Sequence, residues 1–294
     1  MSCYVIGVKL GFKKAAFLVG YCFSGLACAT GMILCLLLTL LRIPNKLRER
    51  WTRRMIYHLC AGFVAYLRFF KVLDVDFGKL PELGMRQGVI IAANHPTYID
   101  AVLIMSQLPD VFCLTKAAIL RNPLVSAMAR SAGYESNADP SRLVKNCSFR
   151  LRNGENLLVF PEGTRTTSPL VGSFKRGFAL MAANASVPVV TVLVTSFNGS
   201  FLRKGQPFFD MPQSLPLRYR FSTSVEFLPH PDESTRDFGM RIENHFRAAL
   251  SAPSNHVQTF SRQCLLQHTS SCALPYLQWE TSLPKHPDHP GLLK

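Results

Sequence analysis

A run of 27 residues without a charged side chain, Ala15 to Leu41, restricts the folds open to this chain more than any other feature. As a helix rising about 1.5 Å per residue, the run is long enough to cross a hydrocarbon core of about 30 Å. It is longer than the apolar part of a signal peptide, and no cleavage pattern of small residues follows it. We therefore expect a membrane helix; the alternative is a helix buried in the core of a domain.

A second apolar stretch, Met55 to Phe70, includes polar residues such as Arg68 and is typical of an interfacial or protein-packed helix. Pro44 and Asn45 separate it from the first run, so residues 1–70 are predicted to form a membrane-associating helical hairpin. Such a hairpin either crosses the bilayer or dips into one leaflet and returns, and the sequence leaves both arrangements open.

Positive charge is concentrated beside this hairpin. The chain carries a formal charge of +15, and residues 1–80 contain twelve Lys or Arg against three acids, which accounts for +9 of it. Nucleic acid, anionic membrane lipids and acidic proteins all attract such a surface. Because the charge flanks an apolar helix, we expect membrane lipids as partners and no nucleic acid. The basic residues after Leu41 favour a cytoplasmic position for the following residues, including the active site.

The nine cysteines indicate neither a disulfide framework nor a metal centre. No two are spaced as CxxC, and none has the spacing of metal ligands. Those within the apolar run behave as small hydrophobic residues. We therefore expect no bound metal and a reducing, cytosolic environment.

Short apolar runs alternate with helical stretches beyond residue 70. The pattern predicts an α/β domain over residues 71–250, with a mixed, largely parallel sheet flanked by helices. Predicted strands are 72–77, 88–93, 111–115, 156–160, 188–195 and 218–227, and predicted helices are 99–108, 122–131, 140–153, 175–186 and 233–250. Residues 251–294, rich in Ser, Pro, Gln and His, are expected to be a disordered tail.

The sequence NHPTYID follows the apolar strand predicted at residues 88–93 and places His95 five positions before Asp100. Ligands of α/β sheets bind at the carboxyl ends of strands. With Pro96 in the first turn of a following helix, Asp100 would reach one ring nitrogen of His95 and leave the other as a general base. Backbone N–H groups at the start of that helix would stabilise an oxyanion. The alternative is a histidine that only packs or caps.

A second polar loop, PEGTR, follows the predicted strand at residues 156–160. Gly163 permits a tight turn, while Glu162 and Thr164 supply an acceptor and a hydroxyl. Arg165 supplies a guanidinium, the group best suited to bidentate binding of phosphate. Alone, the loop is as consistent with a surface turn that carries an ion pair as it is with a phosphate-binding site.

Together, NHPTYID and VFPEGTR resemble the two main motifs of the glycerophospholipid acyltransferase family, in the same order and separation. FKRG at residues 174–177 and VPVVTV at residues 187–192 extend the resemblance, which covers about residues 70 to 230. The hydrophobic, basic N-terminus is similar to that of the 1-acylglycerol-3-phosphate acyltransferases.

The resemblance implies a membrane enzyme that transfers a fatty acyl group to the hydroxyl of a lysophospholipid, most simply 1-acylglycerol-3-phosphate. The donor would be acyl-CoA or acyl carrier protein, and no cofactor is implied. It gives His95 the role of base and Asp100 that of its orienting partner. The acceptor would be bound by the PEGTR loop, through Glu162, Gly163, Thr164 and Arg165.

Two departures from the family pattern concern the acceptor. The family's Gly-x-x-Phe-x-x-Arg pattern, whose Arg holds the acceptor phosphate, is replaced by AGYESNADPSR, with Asn137 at about the position of that Arg. Lys116 is the predicted substitute, with Arg121 and Arg142 as further possibilities; solvated surface charges are the alternative. Thr191 stands where a second Pro is common. An acyltransferase for another lipid or metabolite, and a catalytically impaired lipid-binding scaffold, are therefore the competing functions.

Overall fold

A computed structural model describes residues 2–117, 119–121, 123–166, 171–197 and 215–251 of the chain. The predicted tail lies outside the described residues, except for Ser251. The N-terminal hairpin consists of α1 (Ser2–Leu40) and α2 (Asn45–Phe69), with the reversal at Pro44 as predicted. Both helices begin earlier than the apolar runs suggested, because the backbone remains helical through the charged residues that precede each run.

Within the described residues, one helical stretch is long and apolar enough to cross a membrane. It is Gly11–Leu40, with a mean hydropathy of 2.1, and 11% of its most apolar window is buried. A helix in the core of a domain would be mostly buried. The alternative of a buried core helix is therefore wrong for this run.

The apolar helix packs along one side of the protein. The ring of Tyr66 lies against Gly20 so closely that a Cβ atom there would be 2.5 Å from ring carbon Cε1. The Tyr66 hydroxyl donates to the Ala16 carbonyl over 2.8 Å. Farther along α1, Gly31 lies against the side chain of Met128 in α4 (Pro123–Ser131). These contacts fix α1 against α2 and the domain while its other side stays exposed.

A seven-stranded sheet forms the centre of the domain, in the order β1-β7-β6-β2-β5-β3-β4. Five strands, β2 to β6, run parallel, whereas β7 is antiparallel to β6 and parallel to β1. The strands are β1 (Leu73–Asp76), β2 (Ile90–Ala93), β3 (Val111–Thr115), β4 (Glu135–Ser136), β5 (Asn156–Val159), β6 (Val189–Ser196) and β7 (Leu217–Phe227). The predicted mixed, largely parallel sheet is confirmed. The sequence prediction missed β4, which has two residues and no apolar run.

Helices cover both faces of this sheet. They include α2, and the helices not yet named are α3 (Asp100–Met105), α5 (Pro140–Arg152), α6 (Gly177–Ala185) and α7 (Thr235–Ser251). Ile91 faces a cluster that includes Leu67 of α2 and Leu103 of α3, whereas Ile90 faces one that includes residues of α5, α6 and α7. Because alternate residues of β2 face opposite layers, the whole strand is apolar. The boundary predicted at residue 70 stays a prediction; α2 ends at Phe69 and β1 begins at Leu73.

Candidate active site

The two polar loops emerge from neighbouring parallel strands at the same edge of the sheet. NHPTYID follows β2, PEGTR follows the adjacent β5, and β6 lies on the other side of β2. Asn94 is buried and holds the end of β2 in place. Its side chain donates to the Val194 carbonyl over 2.9 Å and accepts from the Val194 N–H over 2.7 Å. This amide continues the pairing of β2 with β6 after the backbone has turned away.

His95 and Asp100 form the expected contact, with Nδ1 of His95 3.1 Å from Oδ2 of Asp100. The reason differs from the prediction. The helix α3 begins at Asp100, so Pro96 lies before it and not in its first turn. Asp100 instead closes a non-helical turn, because its Oδ2 accepts the Thr97 N–H over 2.6 Å. That turn brings the carboxylate back to Nδ1 at the edge of the imidazole.

Asp100 has no exposed surface and is surrounded by donors. Besides the Thr97 N–H and His95, the Thr97 hydroxyl donates to Oδ1 over 2.5 Å. Burial raises the pKa of the Asp100 carboxyl above its ordinary value, while the hydrogen bonds from His95 and Thr97 act in the opposite direction. Three donors on one carboxyl group favour the ionised form, which accepts all of them at once.

The imidazole of His95 is held on one edge and on one face. Asp100 binds Nδ1, and the ring of Phe160 stacks on the imidazole with centroids 4.2 Å apart and planes 25° apart. The side chain is 18% exposed. With Nδ1 bound to Asp100, Nε2 is the ring nitrogen left to take a proton from a substrate.

The backbone N–H groups of His95 and Thr97 both donate to side chains of the site. The His95 N–H donates to Oε1 of Glu162 over 3.3 Å, and the Thr97 N–H is bound by Asp100. Pro96 has no N–H. The N–H groups of His95 and Thr97 are therefore bound by side chains. The prediction that N–H groups at the start of the following helix stabilise an oxyanion concerns α3, which begins at Asp100, and it stays a prediction.

Glu162 joins the two loops. Its side chain is buried; Oε1 accepts from the Thr166 hydroxyl over 2.6 Å, as well as from the His95 N–H, and Oε2 accepts the Gly172 N–H over 2.9 Å. The Thr166 N–H also donates to the His95 carbonyl over 2.8 Å. With both oxygens engaged, Glu162 organises the loop, so this geometry favours a structural role over direct contact with substrate.

The rest of the PEGTR loop is partly exposed. Gly163 has φ +62°, and a Cβ atom there would lie 3.0 Å from Cε of Lys175, so the turn requires glycine. Thr164 and Arg165 are half-buried beside it. The guanidinium carbon of Arg165 lies 4.4 Å from the centre of the Tyr98 ring. Tyr98 belongs to the histidine loop, so this contact holds the Arg165 cation against that loop.

Lys116 lies at the same sheet edge but farther from His95. It is exposed just after β3, which is separated from β2 by β5. Adjacent strands are about 4.8 Å apart, so β3 runs about 10 Å from β2. The side-chain oxygen of Asn137 accepts the Ala117 N–H over 3.0 Å. The residue that replaces the family's Arg thus shapes the loop that carries Lys116.

The second departure from the family pattern has a local explanation. Thr191 is fully buried at the point where the pairing of β6 with β7 shifts by one residue. Its hydroxyl donates to the Val225 carbonyl over 3.1 Å and accepts the Val225 N–H over 3.2 Å. The hydroxyl therefore satisfies backbone groups that the irregular pairing leaves over.

Three side chains of the site were not among the predicted site residues. Thr97 and Phe160 lie inside the two motifs, and a Thr three positions before Asp is itself a turn signal. Tyr219, at 3% exposure, places its hydroxyl 3.1 Å from that of Thr97, across 122 residues of sequence. Tyr219 could not be identified as a site residue from the spacing of residues in the sequence. Among the described residues, no group of three His, Cys, Asp or Glu side chains is arranged to hold a metal ion.

Comparison with known proteins agrees with this geometry. Residues 75–195 match the family model described as Acyltransferase. A lyso-ornithine lipid O-acyltransferase of Pseudomonas aeruginosa is 31% identical over 170 residues, which are 56% of this chain and 59% of that protein. A chloroplastic 1-acyl-sn-glycerol-3-phosphate acyltransferase of Brassica napus is 26% identical over 186 residues, covering 61% of this chain and 54% of that protein. The chain thus spans less than two thirds of the length of either relative.

A solved structure has the same fold. The 1-acyl-sn-glycerophosphate acyltransferase PlsC from Thermotoga maritima superposes with a TM-score of 0.60 at 17% identity, covering 83% of this chain and 97% of the other. That match includes a large part of the chain outside residues 75–195. The likeness establishes the architecture of the protein.

Proposed function

We propose that this chain, whose residues 75–195 carry a domain of the acyltransferase family, is a membrane-associated lysophospholipid O-acyltransferase. The observation that carries the proposal is the His95–Asp100 pair, 3.1 Å apart, at the strand edge where Arg165 supplies a cation. Two relatives are named for acyl transfer to two different lipids. We propose 1-acylglycerol-3-phosphate as the acceptor.

In the proposed reaction, Nε2 of His95 takes the proton of the acceptor hydroxyl as its oxygen attacks the thioester carbonyl. The tetrahedral intermediate then breaks its C–S bond, and the imidazolium returns the proton to the thiolate. Asp100 keeps Nδ1 protonated and stabilises the imidazolium. General-base assistance of this kind contributes roughly 10² to 10⁴ in rate. Arg165 binds the acceptor phosphate, and the donor is acyl-CoA or an acyl carrier protein.

The apolar helix gives this chemistry its location. Acceptor and product are both lipids, so an enzyme held at the bilayer meets the acceptor without drawing an acyl chain through water. Basic residues near the start of α2 add attraction to anionic headgroups, at about 1 kcal/mol for each one near the surface. We propose that they and the active site face the cytoplasm.

A second acceptor class has a specific observation in its favour. Asn137 replaces the family's phosphate-binding Arg, and its side-chain oxygen is engaged by the Ala117 N–H. One relative is named for acylating lyso-ornithine lipid, an acceptor named for an amino acid and not for a phosphate. An acceptor without a phosphate is therefore the competing candidate.

The test is an acyl-transfer assay of the full chain in mixed micelles. Lysophosphatidic acid, lyso-ornithine lipid and an uncharged lyso-lipid of equal chain length are each offered with acyl-CoA and with acyl carrier protein. We expect transfer to lysophosphatidic acid by wild type and none by His95→Ala. The control is His230→Ala, which removes an exposed imidazole and should leave the rate unchanged. Near-wild-type transfer by His95→Ala would refute the mechanism.

A further inference from the structure

The phenol of Tyr219 is connected to the carboxylate of the His95–Asp100 pair through one intermediate hydroxyl, that of Thr97. Tyr219 lies in β7, opposite Ser196 at the end of β6, and its hydroxyl oxygen is 3.1 Å from Oγ1 of Thr97. Because β7 runs antiparallel to β6, its early residues lie at the carboxyl edge of the parallel strands. Both Tyr219 and Thr97 are buried. A distant strand thus contributes a polar group to the support of the base.

The direction of each hydrogen bond in this chain follows from counting protons. Thr97 has one hydroxyl proton, and it is donated to Oδ1 of Asp100, an acceptor when ionised. The proton between the two hydroxyls must therefore come from Tyr219. Oδ2 of Asp100 accepts from the Thr97 N–H and from Nδ1 of His95. Every donor in this series of hydrogen bonds consequently points towards the Asp100 carboxylate.

We propose that Tyr219 is a positioning residue for the acyl transfer proposed above. By donating to Thr97, it fixes the Thr97 hydroxyl as a donor to Asp100 and so keeps the carboxylate ionised. An ionised Asp100 requires the proton of neutral His95 on Nδ1 and leaves Nε2 as the base. Without the phenol, the Thr97 hydroxyl loses the donor that fixes its orientation, and its hydrogen bond to Oδ1 weakens. A protonated Asp100 can then donate to Nδ1, which gives the unproductive tautomer.

Burial supports the need for such a device. It acts to raise the pKa of the Asp100 carboxyl, so the site must supply donors to retain the charged form. The charged or titratable side chains of the two described loops, besides Asp100 itself, are His95, Tyr98, Glu162 and Arg165. Glu162 is occupied by backbone and Thr166 donors, and Arg165 stacks on Tyr98.

The kinetic test compares Tyr219→Phe, which keeps the ring, with Thr97→Val, Thr97→Ser and the Tyr219→Phe/Thr97→Val double variant. One net hydrogen bond corresponds to about a fivefold loss of kcat for Tyr219→Phe, with the KM of the acceptor unchanged. Thr97→Val should lose about thirtyfold, because Oδ1 is left without its donor, and Thr97→Ser should stay near wild type. In the Thr97→Val background, Tyr219→Phe should cause no further loss.

Tyr66→Phe is the matched control, since it also removes a phenol that donates over 2.8 Å, but between α1 and α2. It should keep full kcat. The proposal would be overturned if Tyr66→Phe lost as much kcat as Tyr219→Phe. It would also be overturned by multiplicative losses in the double variant or by an unchanged kcat in Tyr219→Phe.

A spectroscopic arm separates this inference from the proposed function. Histidine labelled with ¹⁵N, with the His95 signals identified by difference from His95→Gln, reports which ring nitrogen carries the proton. We expect Nδ1–H in wild type and a growing Nε2–H population in Tyr219→Phe and, more strongly, in Thr97→Val. The same tautomer in all three proteins would overturn the proposal even if acyl transfer is observed. The expected shift without any acyl transfer would uphold the proton chain and refute the proposed reaction.

Discussion

Asp100 accepts hydrogen bonds from three donors, which makes the neutral substitute Asn a poor replacement despite its equal size. An amide presents one acceptor oxygen and one donor nitrogen. Wherever that nitrogen lies, it meets a donor from Thr97 or Nδ1–H of His95. We expect Asp100→Asn to lose roughly 10² to 10⁴ in kcat, measured by initial rates at saturating acceptor. A rate within threefold of wild type would contradict the role given to the carboxylate.

Arg165 is the residue on which the choice of acceptor depends in this proposal. Lysine cannot reproduce two parallel hydrogen bonds to a phosphate or the stacking on Tyr98. We expect Arg165→Lys to lower kcat/KM for lysophosphatidic acid roughly ten- to a hundredfold, with little change in the KM of the donor. The measurement compares lysophosphatidic acid with an uncharged alcohol of equal chain length. Equal losses on both would mean that Arg165 supports the loop and does not bind phosphate.

Among the elements, α2 is joined to the domain by a cluster of charges. Arg53, at 6% exposure, contacts Glu155 at 2.8 Å and Glu49 at 3.4 Å. Arg150 contacts Glu155 at 2.7 Å and Glu49 at 3.1 Å, and its guanidinium carbon lies 4.0 Å from the Phe112 ring centre. Without Arg53, the half-buried Glu155 and Glu49 keep Arg150 as their cation but lose the contact that joins them to the buried part of α2.

We therefore expect Arg53→Met to lower the free energy of unfolding by about 2 kcal/mol, which is typical of the loss of one hydrogen bond between charged groups. Arg50→Met is the control: its side chain is 58% exposed and lies 3.5 Å from Asp110, so its loss should be about 1 kcal/mol or less. Urea unfolding in micelles, followed by circular dichroism, gives both values. Equal losses would show that the cluster does not hold the helix.

The same cluster predicts a pH dependence. Burial acts to raise the pKa of Glu155, but hydrogen bonds and charges from Arg150 and Arg53 outweigh it and lower the pKa below its ordinary value. A lowered folded-state pKa gives stability that is present above the ordinary value of about 4.3 and is lost as pH falls through the folded value. The difference between wild type and Arg53→Met should therefore shrink below about pH 4. A difference that stays constant would rule out Glu155 as its source.

The elements that sequence patterns predicted best are those with an apolar period. β3 was predicted at its observed bounds, and the strands and helices from β5 to α7 lie within about two residues of theirs. The helix predicted at residues 99–108 begins within one residue of α3 but extends three residues beyond its end. Pro96 does not lie in its first turn, because the Asp100 side chain, and not a helical turn, organises residues 95–99. Within the site, His95 and Asp100 could be paired from their spacing, whereas Tyr219 could not. Its contact depends on which strand lies beside β6, and strand order is not written in local sequence.

For the molecule as a whole, we expect the exposed side of α1 to determine how the protein associates with membranes. Large apolar side chains remain exposed along it, including Phe12, Phe23, Leu26, Leu36 and Leu40. We expect the protein to sediment with membranes and to be released by detergent but not by 1 M salt. Salt shortens the screening length to about 3 Å and removes the attraction of the basic residues, but it leaves apolar burial intact.

Sedimentation of the Phe23→Asp/Leu26→Asp variant provides the comparison. Two carboxylates on the exposed side should make the protein extractable by salt, whereas wild type is not. Release of wild type by salt alone would show that the basic residues, and not α1, hold it on the membrane.

The carboxylate of Glu162 also bears on how such an enzyme can change its preferred substrate over evolutionary time. Because Glu162 ties the backbone of His95 to the loop of Arg165, an insertion or deletion in either loop would disturb the reaction itself. Residues 133–142 lie beyond β3, outside that tie, and their departures from the family pattern leave the base untouched. Replacing residues 133–142 by those of the Brassica relative should therefore alter acceptor preference, while acyl transfer by the chimera should still be abolished by His95→Ala. In the proposed enzyme, the choice of headgroup can therefore change while the residues of the reaction stay in place.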